Sequence, residues 1–134
     1  MRAAGFDPGE RRIGMAISVG EASFPLEVIQ RVEGWLDRVR QLLEEYGVDV
    51  LVVGVPLSLD GGETESTRMA RRFIAELSRV VDLPVVEVDE RFSSRSVERA
   101  LTEAGVSMRD QRGRVDDLAA ADILQRYLDG LGNA

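Results

Sequence analysis

Apolar residues follow different spacings along this chain, and each spacing predicts an element. Residues 2–7 and 12–19 are short, mostly apolar stretches around Pro8-Gly9-Glu10-Arg11, whose proline and glycine form turns, so the chain should open on a β-hairpin. Residues 25–32 alternate Leu26, Val28 or Ile29, and Val32 loosely, which suggests a third strand. From 34 to 46, Trp35, Leu36, Val39, Leu42, Leu43 and Tyr46 fall at helical spacing, and Gly47 is placed to stop the helix. Residues 48–55 are almost uniformly apolar, the pattern of a strand covered on both faces in a parallel sheet. After the loop 56–62, Met69, Phe73, Leu77 and Val80 mark a helix over about 66–81, and 84–88 reads as another buried strand. Ser93 or Ser94 is placed to cap a helix carrying Val97, Ala100, Leu101 and Ala104 and ended by Gly105. A last helix is expected over about 115–130, with the polar stretch 107–114 before it as the most mobile segment.

Three strands followed by helix, strand, helix, strand, helix, helix is an α/β order, antiparallel first and parallel afterwards. It departs from the strict alternation of a doubly wound domain. The 134 residues are one domain's worth, with no internal repeat or linker, and 44% hydrophobic content suffices for a packed core. No apolar run approaches the roughly 20 residues of a bilayer span, and Asp7 breaks the start, so neither a membrane helix nor a signal peptide is expected. A cytoplasmic location follows as an expectation.

Composition then narrows the chemistry. The chain has no His, Cys or Lys, so its 17 basic residues are all Arg. Thiolate metal sites, histidine bases, Schiff bases and the lysine phosphate loop are excluded. A net charge of -7 argues against whole-surface binding to nucleic acid and demands a local basic patch for any such role. Acid-base or metal chemistry has to run on carboxylates.

The carboxylates cluster at element ends. Asp7 ends the first strand, Asp89-Glu90 the last, and Asp116-Asp117 opens the last helix. If their strands are near parallel neighbours, Asp7 and Asp89-Glu90 share the edge where ligands bind in open α/β sheets. Asp116 and Asp117 would serve equally as helix caps, but Leu118-Ala119-Ala120-Ala121 follows, and those small side chains let the helix approach a sheet closely. Hard oxygen ligands suit Mg²⁺ or Mn²⁺, and carboxylates holding such ions are standard machinery for phosphodiester hydrolysis.

Gly5-Phe6-Asp7-Pro8-Gly9 followed by Arg12-Ile13-Gly14-Met15-Ala16 resembles the opening of the YqgF family, also called RuvX or Holliday-junction-resolvase-like. Val53-Gly54-Val55-Pro56-Leu57 with Asp60-Gly61, Asp89-Glu90-Arg91-Phe92-Ser93-Ser94, and Val115-Asp116-Asp117-Leu118-Ala119-Ala120 with Ile123-Leu124-Gln125 resemble three more of its motifs, in order, over about residues 2–129. The resemblance implies a ribonuclease-H-like, RuvC-like fold: a five-stranded mixed sheet, first three strands antiparallel, helices on both faces. It implies Asp7, Glu90 and Asp116 as catalytic and metal-holding acids, with Asp89 and Asp117 as adjacent alternates. Processing of precursor 16S ribosomal RNA is the implied role, resolution of branched DNA the competing one, by a monomer or homodimer. Ser93-Ser94 stands where the family often has Thr-Thr, which keeps the hydroxyl; Arg11 stands where it commonly has Lys, which keeps charge but changes phosphate geometry.

Residues 91–114 hold six arginines (91, 95, 99, 109, 112, 114) against Glu98, Glu103 and Asp110, the local patch required above. Arg95 and Arg99 would share a helix face and Arg109, Arg112 and Arg114 an adjoining loop; with Arg12 and Arg91 these are the expected phosphate contacts. Gly61-Gly62 reads as ordinary helix capping in preference to a phosphate cradle, and Trp35, Tyr46 and Tyr127 as core residues in preference to base-stacking ones. Besides a metal-dependent nuclease, two classes stay open: a catalytically silent nucleic-acid or ribosome-assembly module, and a sugar-kinase or actin-like ATPase. The last pairs two copies of such a domain, and 134 residues hold only one.

Overall fold

The computed structural model describes residues 1–89 and 108–132, with side chains for 1–89 and 118–131. The described strands are β1 (Ala3–Pro8), β2 (Arg12–Val19), β3 (Ala22–Gln30), β4 (Val50–Val55) and β5 (Val85–Asp89), and the described helices α1 (Trp35–Glu45), α2 (Glu65–Ser78) and α3 (Met108–Gly132). They build one mixed sheet in the order β3-β2-β1-β4-β5. β1, β2 and β3 pair antiparallel, and β4 runs parallel to β1 on one side and β5 on the other. The helix expected around Val97–Ala104 lies outside the described residues.

Strand alternation sorts the core into two layers. Ala4 and Phe6 of β1, with Leu51 and Val53 of β4, pack against Val39, Leu42 and Leu43 of α1 and Phe73 and Leu77 of α2. Ala3, Val50 and Val52 point the other way, onto Ala120, Ile123 and Leu124 of α3. The closest approach is at Gly5, where an added Cβ would lie 2.7 Å from Leu124 Cβ and 3.0 Å from the Ala120 carbonyl oxygen. The small residues of α3 do let it sit against the sheet, as their sequence implied.

Local signals act at two helix ends, the first of them as expected. Gly47, at φ 62°, ends α1, its N–H donating to the Glu44 carbonyl while that of Val48 donates to Leu43, the paired bonds of a glycine-ended helix. Thr64 caps α2 in a reciprocal bond pair with Thr67. Gly61 and Gly62, expected to do the capping, lie instead in the preceding turn, where the Gly62 N–H donates to Ser58 Oγ and Asp60 Oδ1.

Other expectations need correction. β3 begins at Ala22 because Gly20, at φ 61°, closes a two-residue turn. Pro25 sits inside β3 without cost to the sheet, since among the described residues β3 is an edge strand and its pairing with β2 is irregular at Met15/Ala16. β5 is only half-buried, because it is the last strand on its side among the described residues. α2 ends at Ser78, which leaves Val80 in a turn and 41% exposed. The stretch expected to be a mobile loop is helical from Met108, so Asp116 and Asp117 lie within α3 and not in its first turn. Arg109, Arg112 and Arg114 belong to the same helix, not to a loop. Helix cooperativity explains the extension, since adding residues to a formed helix is far easier than starting one.

Candidate active site

β1 and β5 flank β4 and run parallel to it, so Asp7 and Asp89 come to the same, carboxyl edge of the sheet. Neighbouring strands are about 4.8 Å apart, which separates the β1 and β5 backbones by roughly 10 Å. Asp7 is half-buried and paired in register with Gly14 of β2. It follows Ala3 and Gly5 at strand period two, hence on the face that α3 covers.

The same periodicity separates Asp89 from it. On β5, Val86 and Val88 pack toward α3, whereas Val85 packs toward the α1 and α2 layer, and Glu87 forms an ion pair with Arg71 of α2 at 3.5 Å. Asp89 continues the series of Val85 and Glu87 and stands on the face opposite Asp7. It is exposed, and its backbone carbonyl accepts from Arg126 Nη1 of α3 at 3.1 Å.

Between the two strands, Gly54 follows Val52 on the α3 face and stands one residue beyond the Phe6–Val53 pair, level with Asp7. A glycine there leaves the floor beside Asp7 without a side chain. Gly54 stands in the Val53-Gly54-Val55-Pro56-Leu57 motif, and a lone glycine in an otherwise apolar strand is the sequence signal for close approach by a ligand or backbone.

Glu90, Arg91, Arg95 and Arg99 lie outside the described residues. Asp116, Asp117, Arg109, Arg112 and Arg114 are placed on the backbone of α3 only. Arg12 is half-buried at the start of β2, where its carbonyl accepts from the Gly9 N–H at 2.9 Å. Among the described residues no three acids are gathered into a metal-holding group. Trp35 and Tyr46 pack against the first core layer and Tyr127 against the second, as their spacing implied. A cavity of about 340 Å³, lined by Leu43, Val48, Val81 and Leu83 with Arg40 and Asp82, lies at the amino ends of β4 and β5, away from Asp7.

Acidic side chains elsewhere are held by arginine. Arg38 donates to both carboxylate oxygens of Glu27, at 2.8 and 2.6 Å, and this hydrogen bonding holds Glu27 below its usual range. Arg72 and Arg68 do the same for Glu65. No described helix is long and apolar enough to cross a membrane.

Comparison with known proteins adds an independent line. A protein of Anaeromyxobacter sp. (strain Fw109-5), named "Putative pre-16S rRNA nuclease", is 45% identical, over 97% of this chain and 98% of its own. One of the same name from Geobacillus kaustophilus (strain HTA426) is 41% identical, over 96% and 98%. Among solved structures, T. thermophilus RuvC in complex with a Holliday junction substrate superposes with a TM-score of 0.57 at 15% identity, covering 100% of this chain and 97% of that one. The fowlpox virus Holliday junction resolvase gives 0.58 at 13% identity, over 98% and 99%. These two share the fold, the RuvC-like mixed sheet with antiparallel strands first. Residues 1–130 match the family described as RuvX, Holliday junction resolvase, and the chain belongs to that family.

Proposed function

We propose that this protein is a divalent-metal-dependent nuclease that hydrolyses phosphodiester bonds in precursor 16S ribosomal RNA, with Asp7, Glu90 and Asp116 as its working acids. The observation that carries the reading is Asp7: a half-buried carboxylate at the carboxyl edge of the parallel strands, on the face covered by α3, beside the bare floor of Gly54. The relatives' name supplies the substrate, and family membership the reaction class.

Register supports the choice among adjacent acids. Asp89 belongs to the opposite face, so the next residue in sequence, Glu90, is the better partner for Asp7. On α3, Asp116 stands four residues before Ala120 and seven before Ile123, in line with the residues buried on the sheet. The four helical residues from Asp116 to Ala120 span about 6 Å, and two strand residues from Gly5 to Asp7 about 6.7 Å. Both acids therefore belong to positions close to the Gly5 contact.

Mg²⁺ or Mn²⁺ held by these carboxylates would supply activation of water and neutralisation of phosphate charge. The chain's own part is to hold that charge, to exclude bulk water by packing α3 on β1, and to track phosphates with Arg12, Arg91, Arg95, Arg99, Arg109, Arg112 and Arg114. No side chain here has an ordinary pKa near neutrality, so proton removal cannot fall to a histidine or cysteine base. The reading places the enzyme in the cytoplasm, on RNA, as a monomer or homodimer.

The test is cleavage of labelled precursor 16S rRNA and a four-way DNA junction, side by side, by wild type and Asp7→Asn with Mg²⁺ or Mn²⁺. Metal-dependent cutting of the RNA, lost in Asp7→Asn, is expected. Cutting of the junction alone would make the chain a resolvase, and cutting of neither under any divalent metal would make it a binding module.

A further inference from the structure

We propose that Arg31 is a positioning residue for the candidate site, bracing the turn into which Asp7 leads; the inference rests on the nuclease reading above. Arg31 directly follows β3 and touches the β1–β2 turn twice. Its backbone N–H donates to the Arg11 carbonyl at 2.8 Å, and its Nη1 donates to the Gly9 carbonyl at 3.2 Å. The other end of the guanidinium is fixed, with Nη2 3.1 Å from Glu76 Oε1 of α2. Its Cζ stands 4.7 Å from the centre of the Trp35 ring and 6.0 Å from that of Phe73, and the two rings stack at 5.8 Å. The side chain is only 14% exposed.

This is a costly placement for a cation, offset by the carboxylate, the carbonyl and two aromatic faces. A planar fork is needed to reach Gly9 and Glu76 together while lying on Trp35, which lysine cannot do. The turn itself has little slack. Gly9 N–H donates to the Arg12 carbonyl at 2.9 Å, and even a Cβ on Gly9 would come within 2.8 Å of that oxygen. Pairing continues without a break from Asp7–Gly14 to Pro8–Ile13, so a displaced turn carries Asp7 with it. Arg31 thus ties the strand that bears Asp7 to α2 through a contact that the sequence, with 17 arginines, does not single out.

The same molecule contains a control. Arg38 joins α1 to β3 through a two-pronged pair with Glu27, and the bonds it makes go to Glu27 and Gln41, away from the turn. The experiment compares Arg31→Met, Glu76→Gln and Arg38→Gln in the full chain. It measures Mn²⁺ binding by calorimetry, kcat and KM on precursor rRNA, and urea stability. Displacing catalytic groups by an ångström costs up to about a hundredfold, so Arg31→Met is expected to lower kcat at least about tenfold with KM within about twofold. It should also weaken Mn²⁺ binding severalfold. Glu76→Gln should move both readouts the same way by less, and Arg38→Gln should lower stability while leaving Mn²⁺ binding and kcat unchanged.

Wild-type Mn²⁺ affinity and kcat in folded Arg31→Met would overturn the proposal, as would an equal loss in Arg38→Gln. If Arg31→Met does not fold, Arg31→Lys decides by the same readouts, since it keeps the charge and loses the fork. Wild type that neither binds Mn²⁺ nor cleaves would overturn the nuclease reading and this inference with it. An active wild type indifferent to Arg31 overturns this inference alone.

Discussion

Gly5→Ala is the most direct test of how the fold makes the site. The new Cβ would stand 2.7 Å from Leu124 Cβ and 3.0 Å from the Ala120 carbonyl oxygen. Carbon atoms rest at about 3.5–4.0 Å, so α3 has to move off β1 by roughly 1 Å. Neither obstacle is the flexible end of a side chain, and Ala120 and Leu124 are fully buried, which leaves no room for local escape. Overpacking of this kind costs about 1–3 kcal/mol. The lower entropy of an unfolded alanine offsets about 0.4–1 kcal/mol. The clash wins, and the net loss should be about 1–2 kcal/mol, or roughly 3–10 °C in Tm for a domain of this size. Activity should fall much further than stability, by as much as about a hundredfold, because the helix that moves carries Asp116. Urea unfolding followed by the fluorescence of Trp35, the chain's only tryptophan, reads the first quantity, and metal-dependent RNA cleavage reads the second. Leu124→Ala should not rescue the variant: alanine keeps the offending Cβ, and truncating a buried leucine adds about 2–5 kcal/mol of its own. A Gly5→Ala protein within about 0.5 kcal/mol of wild type and equally active would refute the close-approach argument.

Three further outcomes are expected. Asp7→Asn, Glu90→Gln and Asp116→Asn should each cost more kcat than Asp89→Asn or Asp117→Asn; the reverse ranking in single-turnover assays would shift the site by one residue. Replacing Arg109, Arg112 and Arg114 together by Gln should flatten the salt dependence of RNA binding, each lost phosphate contact lowering the slope of log K against log salt by about one, and an unchanged slope would remove them from the interface. Glu27 is held below its ordinary value near 4.5 by its hydrogen bonds to Arg38, so the stability this pair contributes is present above that value and is lost as pH falls through the lowered one. The stability deficit of Arg38→Gln, read from urea melts, should therefore shrink between pH 7 and pH 3; a deficit constant over that range would show the pair to be energetically silent.

How much of this was legible in the amino-acid order depends on the range of the forces involved. Period-two and helical patterns are local, and they located β1, β2, β4, α1 and the body of α2 to within a few residues. Gly47 and its αL stop are local too. The acids at Asp7 and Asp89-Glu90 stood out because strand ends are recognisable from the pattern itself. Even the docking of α3 was implied by Ala119-Ala120. The start of β3 was less legible, since an edge strand tolerates Pro25 and needs no strict alternation. The buried character expected of β5 was wrong because burial depends on what lies beside a strand, and nothing in Val85-Val86 says that it is the outermost described one. Helix α3 began earlier than its polar first turns suggested, since propagation from a docked apolar stretch overrides weak local preference.

Only the tertiary structure decided which faces Asp7 and Asp89 occupy. Asp7 and Asp89 look equivalent along the chain, yet sheet register puts one under α3 and the other toward α2. Gly5 and Arg31 likewise carry no local mark of their roles, and the lone glycine at position 54 does not say what it faces. Gly5 matters because a helix more than a hundred residues later crosses it, Gly54 because it lies level with Asp7 on the neighbouring strand, and Arg31 because Gly9, Trp35 and Glu76 converge on it from three elements. The sequence by itself determined which elements form and which chemistry is possible, since backbone propensity and side-chain functional groups are properties of residues and their near neighbours. Placement within ångströms was decided by packing between segments distant in the chain, because close-packed interiors admit few arrangements and each depends on all the surfaces that meet there.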